Sequence, residues 1–218
     1  MRNTSASAVT VGVDVGGPRK GFHAVALHNR VVLDRRQFFD AGQVARWCLE
    51  VGAITVGVDA PISWSRSGRA RPAEKQLMAS RIQCFSTPSE AVAVAHPTDH
   101  YGWMRNGAAL YDALKQKFSL YDGRNRAQRP LAFETFPHAI TCALSGEVVS
   151  ARHKGKTRRA LLAQLHVSCD RLTNIDLVDA ALCAIAAECV ASGCFTEHGD
   201  LDEGFIVIPS TGRASGFT

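Results

Sequence analysis

Thr10-Val-Gly-Val-Asp14 recurs, residue for residue, as Thr55-Val-Gly-Val-Asp59. Each copy closes an apolar run with a carboxylate. Ala8, Val9, Val11 and Val13 lead into Asp14; Ala53, Ile54, Val56 and Val58 lead into Asp59. Short runs of β-branched and small residues read as buried strands. Two such strands side by side would put two acids at neighbouring positions of one sheet. Like charges held close repel, and a divalent cation is a common way to compensate them. Taken singly, each Asp also has the chemistry of a turn former after a strand.

Outward from these strands the chain reads as α/β. Gly16-Gly17-Pro18 is a turn. Phe22–Leu27 and Val31–Phe38 form a hairpin around His28-Asn29-Arg30, so the first three strands should make an antiparallel meander. Ala41–Val51 follows as a helix capped by Asp40 and ended by Gly52. That crossover makes the strand Ile54–Asp59 parallel to the first. From Pro61 to Arg129 strand character is lost, with helices expected near Pro72–Ser80 and Ala108–Leu120. This segment, about 61–130, is read as an insertion or lid within a single domain spanning 1–218. Beyond it come a short strand, Leu131–Thr135, a helix from Pro137 to about Leu144, and a helix over Thr157–His166. A long helix is expected over Ile175–Cys194, and an edge strand over Phe205–Ile208.

Composition narrows the class. The 218 residues are 46% hydrophobic, enough for a sizeable core. No apolar stretch is long enough to span a bilayer, and Met1–Ser7 lacks the apolar segment of a secretory signal. Seven cysteines without a CxxC pair read as reduced residues of a cytoplasmic protein rather than as disulfides or a zinc site. The net charge of +5 permits an anionic partner without demanding one. Basic residues cluster at Arg66, Arg69, Arg71, Lys75 and Arg81, at Arg124, Arg126 and Arg129, and at Arg152, Lys154, Lys156, Arg158 and Arg159. Around an acidic centre these would suit a nucleic-acid backbone, DNA or RNA; singly each is also a solvated surface.

Four acids stand out as candidate catalytic and metal-binding residues: Asp14, Asp59, Glu134 inside an apolar strand, and Asp179 in the first turn of the last helix. Carboxylates are the donors Mg²⁺ or Mn²⁺ takes, and two such ions about 4 Å apart can activate water and stabilise a leaving oxygen. Asp176 shares a helix face with Asp179, and the pair can equally serve the helix terminus. His138 after Pro137 reads as a packed or surface histidine. Lys154-Gly-Lys-Thr157 lacks the first glycine and the preceding strand of a phosphate loop.

This order of elements, with acids on the first strand, the fourth strand and the last helix, resembles the ribonuclease H fold. More narrowly, the chain resembles the family called domain of unknown function 429, predicted to be ribonuclease H-like nucleases. The matching segments are Val11-Gly-Val-Asp14 with Gly17 and Lys20-Gly21, Val58-Asp59-Ala60-Pro61, Arg71-Pro-Ala-Glu74, Phe133-Glu-Thr-Phe-Pro-His-Ala139, Asp176-Leu-Val-Asp179-Ala180 with Cys183-Ala184, and Glu203–Pro209. The resemblance implies a mixed sheet, three antiparallel strands and then parallel ones, with helices on both faces. It implies Asp14, Asp59, Glu134 and Asp179 as ligands of Mg²⁺ or Mn²⁺. Glu74 stands where an Asp would be expected. The function expected is a metal-dependent nuclease that cleaves nucleic-acid phosphodiesters. The alternatives are a non-catalytic nucleic-acid-binding or assembly module, and a nucleotide-dependent phosphotransferase of the actin and sugar-kinase type, whose first phosphate loop Asp14-Val-Gly-Gly17 resembles.

Overall fold

Alternation along the duplicated pentapeptide sets the architecture. In a strand, side chains point to opposite faces in turn. Val11, Val13, Val56 and Val58 therefore pack on one side of the sheet, and Thr10, Gly12, Asp14 and their counterparts Thr55, Gly57 and Asp59 face the other. The computed structural model describes residues 8–210; Met1–Ser7, the stretch expected not to be a signal, lies outside them. Strands β1 (Val9–Val15), β2 (Phe22–His28) and β3 (Val31–Phe38) form the expected antiparallel meander. Helix α1 (Ala41–Glu50) crosses to β4 (Ala53–Asp59), which runs parallel to β1 with Asp14 level with Asp59. The Asp40 side chain accepts from the Gln43 amide to cap α1.

Helices α2 (Pro72–Ala79), α3 (Glu90–Ala95) and α4 (Gly102–Leu114) then lead to β5 (Ser119–Leu120) and β6 (Leu131–Glu134). After these come α5 (Pro137–Ser145), α6 (Lys154–Gln164), α7 (Ile175–Ala191), β7 (Phe195–Asp200) and β8 (Gly204–Pro209). The open sheet has eight strands in the order β3-β2-β1-β4-β6-β8-β7, with β5 alongside β6. Helices cover both faces. Residues of α1 and α4 share a core with the pentapeptide valines, while α2, α5, α6 and α7 contribute to a core on the other face.

Four elements differ from the sequence reading. The helix expected over Thr157–His166 runs from Lys154 to Gln164. The helix expected over Ala108–Leu120 runs from Gly102 to Leu114, and Ser119–Leu120 is instead a strand parallel to β6. The long helix ends at Ala191 rather than Cys194. The strand at 205–208 is not at the edge: β8 lies between β6 and β7, and the edge is β7, a polar strand. Within 61–130, α4 buries Leu110, Tyr111 and Leu114 in the sheet core, so part of that segment supports the sheet directly.

The glycine at the centre of each pentapeptide seats α7. A Cβ at Gly12 would lie 1.9 Å from the Ala180 carbonyl oxygen, and one at Gly57 would lie 2.6 Å from that of Cys183. Only glycine lets the helix backbone approach this closely. The approach carries the N-terminal end of α7 toward the strand ends that bear Asp14 and Asp59: Asp176 lies in the first turn, and Asp179, expected there, lies one turn further on. All seven cysteines are free thiols; Cys183 and Cys189 are buried in α7.

Candidate functional site

Asp14 and Asp59 end two adjacent parallel strands in register, one inter-strand spacing of about 4.8 Å apart. Helix α4 fastens the loops that leave both strands. The Asn106 amide donates to the Gly16 carbonyl at 2.8 Å, and the Tyr111 hydroxyl donates to the Ala60 carbonyl at 3.0 Å. Gly107 lets α4 lie against Ala60, since a Cβ there would sit 2.4 Å from the Ala60 Cβ.

Glu134 lies next along the sheet, level with Val58, and is engaged by a cation. Arg71 donates from both terminal nitrogens to its two carboxylate oxygens, and the Ile62 amide donates to Oε2 at 2.8 Å. Arg71 caps α2 and is itself held by Glu74, which accepts from the Arg71 amide at 2.9 Å and from Nε at 3.0 Å. Glu74 also accepts from the Thr87 amide and hydroxyl. Arg71, Glu74, Thr87 and Glu134 are all buried. Glu74, whose role the sequence left open, thus positions a guanidinium.

Asp179 is also paired. Arg158 of α6 donates to Oδ1, and the Lys154 ammonium lies 3.7 Å from Oδ2. One turn earlier, Asp176 accepts from Lys20 with both oxygens at 3.1 Å. Asn174, not either Asp, caps α7 by accepting from the Leu177 amide. Asp14 and Asp59 make no ion pair and no side-chain hydrogen bond with any described residue.

These residues line one cleft of about 300 Å³. Its walls hold six carboxyls (Asp14, Asp59, Glu74, Glu134, Asp176, Asp179) and four cationic side chains (Lys20, Arg71, Lys154, Arg158). The fully ionised set therefore carries two uncompensated negative charges. The two unpaired acids, Asp14 and Asp59, show the strain. Burial, then the nearby Asp179 and Asp176, pushes the Asp14 carboxyl from 3.8 to about 7, against the pull of Lys20 and Lys154. Burial, then Asp14 and Asp179, pushes Asp59 well above the ordinary range. Burial also raises Asp179, and Arg158 opposes it. Without a cation, burial and mutual repulsion favour the protonated form of both carboxyls.

The four acids expected from the sequence thus meet at one cleft, but in two conditions: Asp14 and Asp59 bare, Glu134 and Asp179 guanidinium-bound. A tighter donor set includes a residue the sequence reading passed over. Ligand atoms of Asp14, His23 and Asp176 all lie within 4.8 Å of one another. His23 sits opposite Asp14 across the β1–β2 pair, so both point to the α7 side. Its signal was a histidine inside the apolar run Phe22–Leu27, opposite an acid once the hairpin is paired. Arg71 and Arg158, counted in the sequence among surface basic clusters, are buried members of the site. Other cluster members make ion pairs at the surface: Arg126 with Glu197, and Arg66 with Asp202. His138 does not line the cleft, and burial, with Arg158, lowers its proton affinity. No described helix is long and apolar enough to cross a membrane.

No curated protein and no solved structure matched the chain. Over residues 12–203, from the first pentapeptide to Glu203 beside Arg71, it matches the family described as protein of unknown function (DUF429), and the chain belongs to that family.

Proposed function

We propose that the chain is a divalent-metal-dependent nuclease on a ribonuclease H-like architecture, hydrolysing phosphodiesters of DNA or RNA. One observation carries the reading: Asp14 and Asp59 stand side by side at a cleft without an ion pair to any described residue, and the cleft's two surplus negative charges equal one divalent cation. The sheet order supports the architecture, since the meander β3-β2-β1 is followed by parallel β4 and β6 with acids on β1, β4 and the last helix.

The donor set fits a cation of the Mg²⁺ or Mn²⁺ kind. Asp14 and Asp59 would hold it, with Glu134 and Asp179 around them; hard divalent ions take carboxylate oxygens and keep waters. When bound, such an ion lowers the proton affinity of water and stabilises charge on a phosphoryl oxygen. The chain's own groups do the rest. Lys20, Lys154 and Arg158 line the same cleft and would orient phosphate oxygens toward the acids. Arg71 neutralises Glu134, so the buried carboxylate beside Asp59 does not repel the substrate. Glu74 keeps Arg71 in that pose.

The test is incubation of the purified chain with labelled single-stranded DNA, duplex DNA and RNA, with Mg²⁺ or Mn²⁺, beside Asp14→Asn and Asp59→Asn. Cleavage by the wild type that falls by about a hundredfold or more in both variants is expected, given the weight of charge stabilisation in such sites. Equal cleavage in wild type and variants would mark a contaminant. No cleavage on any substrate would favour the non-catalytic binding module.

A further inference from the structure

We infer that Asp14, His23 and Asp176 form a mixed nitrogen–oxygen metal site that takes a transition-metal dication in preference to Mg²⁺. This deepens the reading above and rests on it only for what the metal is used for. The ligand set itself is different, since it draws a histidine from β2 and the outer acid of α7 into the site.

Two independent observations carry it. The first is geometric. One ligand atom each from Asp14, His23 and Asp176 falls within 4.8 Å of the others, so side-chain shifts of about 1 Å or less bring all three into reach of one ion at bond lengths of about 2.0–2.2 Å. The three come from three elements: the end of β1, the start of β2 and the first turn of α7. Their convergence depends on the β1–β2 register and on the glycine seat that draws α7 against β1.

The second observation is an orphan. His23 is only 5% exposed, and its buried Nδ1 has no hydrogen-bond partner. Buried polar atoms are ordinarily satisfied, and an exception calls for an explanation such as an ion. A histidine placed for packing alone would have been expected to find a carbonyl or hydroxyl. His23 instead has a ring nitrogen within 4.8 Å of a carboxylate oxygen of both Asp14 and Asp176, and its Nδ1 bonds to neither. A neutral imidazole offers a lone pair, and the two carboxylates offer charge.

The present partner of Asp176 is compatible with this. Lys20 holds both Asp176 oxygens at 3.1 Å, but its side chain is 63% exposed. An exposed ammonium can swing into water with little loss. It would yield Asp176 to an ion and remain at the mouth, able to meet an anionic ligand. Donor chemistry then selects the metal. Imidazole nitrogen adds little for Mg²⁺ or Ca²⁺, which prefer oxygen, and favours first-row transition ions.

The test uses the full chain, freed of metal by chelation and then loaded with Mn²⁺ or Mg²⁺ alone. Pulsed electron paramagnetic resonance of the Mn²⁺ form should show ¹⁴N coupling from a directly bound imidazole. His23→Gln should abolish that coupling and weaken Mn²⁺ binding by about tenfold or more, while changing Mg²⁺ binding by less than about threefold. Asp176→Asn should weaken both ions. Wild-type Mn²⁺ bound without ¹⁴N coupling, or no Mn²⁺ bound at all, would overturn the assignment. The wild-type spectrum decides even where His23→Gln fails to fold. Nitrogen coupling with no cleavage of any nucleic acid would sustain the site and remove the nuclease reading.

Discussion

Replacing Asp14 with Asn should stabilise the metal-free protein, and by an amount that grows with pH. The native carboxyl is raised from 3.8 to about 7 by burial and by Asp179 and Asp176. At about 1.4 kcal/mol for each tenfold in proton affinity, that rise corresponds to roughly 4 kcal/mol. The sign follows from which state binds the proton. Below about pH 4 the carboxyl is protonated folded and unfolded, and it contributes no difference. Between about pH 4 and 7 the unfolded chain ionises while the folded chain does not, so stability is lost as pH rises. Above about pH 7 the loss is complete. Asn has the shape and neutrality of the protonated acid, so the variant escapes the loss. The figure is an upper scale, because Asp59 shares the repulsion and the two carboxyls titrate as a pair.

The assay is thermal or urea unfolding of wild type and Asp14→Asn in EDTA, from about pH 4 to 8. The variant should match the wild type near pH 4. By pH 8 it should melt higher by about 10 °C, taking 2–4 °C per kcal/mol for a chain of this size. Mn²⁺ should narrow that gap by more than half. At about a hundred times its dissociation constant it adds roughly 2.7 kcal/mol to whichever protein binds it, and only the wild type keeps the Asp14 ligand. An equal or greater benefit of the variant at low pH would refute the electrostatic account. So would equal stabilisation of both proteins by Mn²⁺.

Further outcomes follow from the same contacts. Gly12→Ala should destabilise by about 3 kcal/mol, because its Cβ meets the Ala180 carbonyl at 1.9 Å and overpacked cores lose about that much; a melting point within error of wild type would mean α7 sits elsewhere. Arg71→Met should cost about 3–5 kcal/mol by leaving Glu134 and Glu74 buried without their cation. Adding Glu134→Gln to it should restore part of that in urea unfolding, and a double variant no more stable than the single would disprove the coupling. Asn106→Ala removes the tie from α4 to Gly16 and should lower any metal-dependent cleavage by about tenfold through misplaced acids, with little change in melting; unchanged rates would separate α4 from the site. Mn²⁺ affinity should fall up to about tenfold per pH unit below about pH 7, where Asp14 holds its proton. Calorimetric titration across that range would expose a flat profile.

The duplicated pentapeptide was legible because its meaning is local. Alternation put the valines on one face and the acids at the strand ends, and a helix of crossover length made the two copies parallel. The meander and the helices at Asp40–Glu50 and Ile175–Ala191 carried caps and stripes that work without tertiary help. Strand β7 was missed for the opposite reason: Phe195-Thr-Glu-His-Gly-Asp200 has no apolar alternation, and its strand form comes from pairing with β8. Arg71 looked like surface charge beside Arg66 and Arg69, because nothing in the local sequence reports that a guanidinium meets Glu134 across 63 positions. Pro72 and Glu74 did mark a helix start. The partner of Glu74 at Thr87 depends on a loop whose path no periodicity sets.

The acids of the cleft divide by partner, and the division separates two tasks. A buried carboxylate whose oxygens are filled by a guanidinium and backbone amides, as in Glu134 with Arg71 and Ile62, is neutral in effect and geometrically fixed. It is poorly available to an ion unless Arg71 leaves, and Arg71 is 1% exposed and tied to Glu74. Asp179 is intermediate, held by buried Arg158 and, more loosely, by exposed Lys154. Among described residues, Asp176 is held by the exposed Lys20 ammonium. Asp14 and Asp59 make no ion pair or side-chain hydrogen bond with any described residue. The order of availability to a cation is therefore Asp14 and Asp59, then Asp176, then Asp179, then Glu134. Substitutions by the matching amide should weaken Mg²⁺ binding in that order. Glu134→Gln should act chiefly on folding, because it removes the charge that justifies burying Arg71. A Glu134→Gln protein that folds normally but binds no Mg²⁺ would invert the ranking and make the arginine pair a resting state, not the working one.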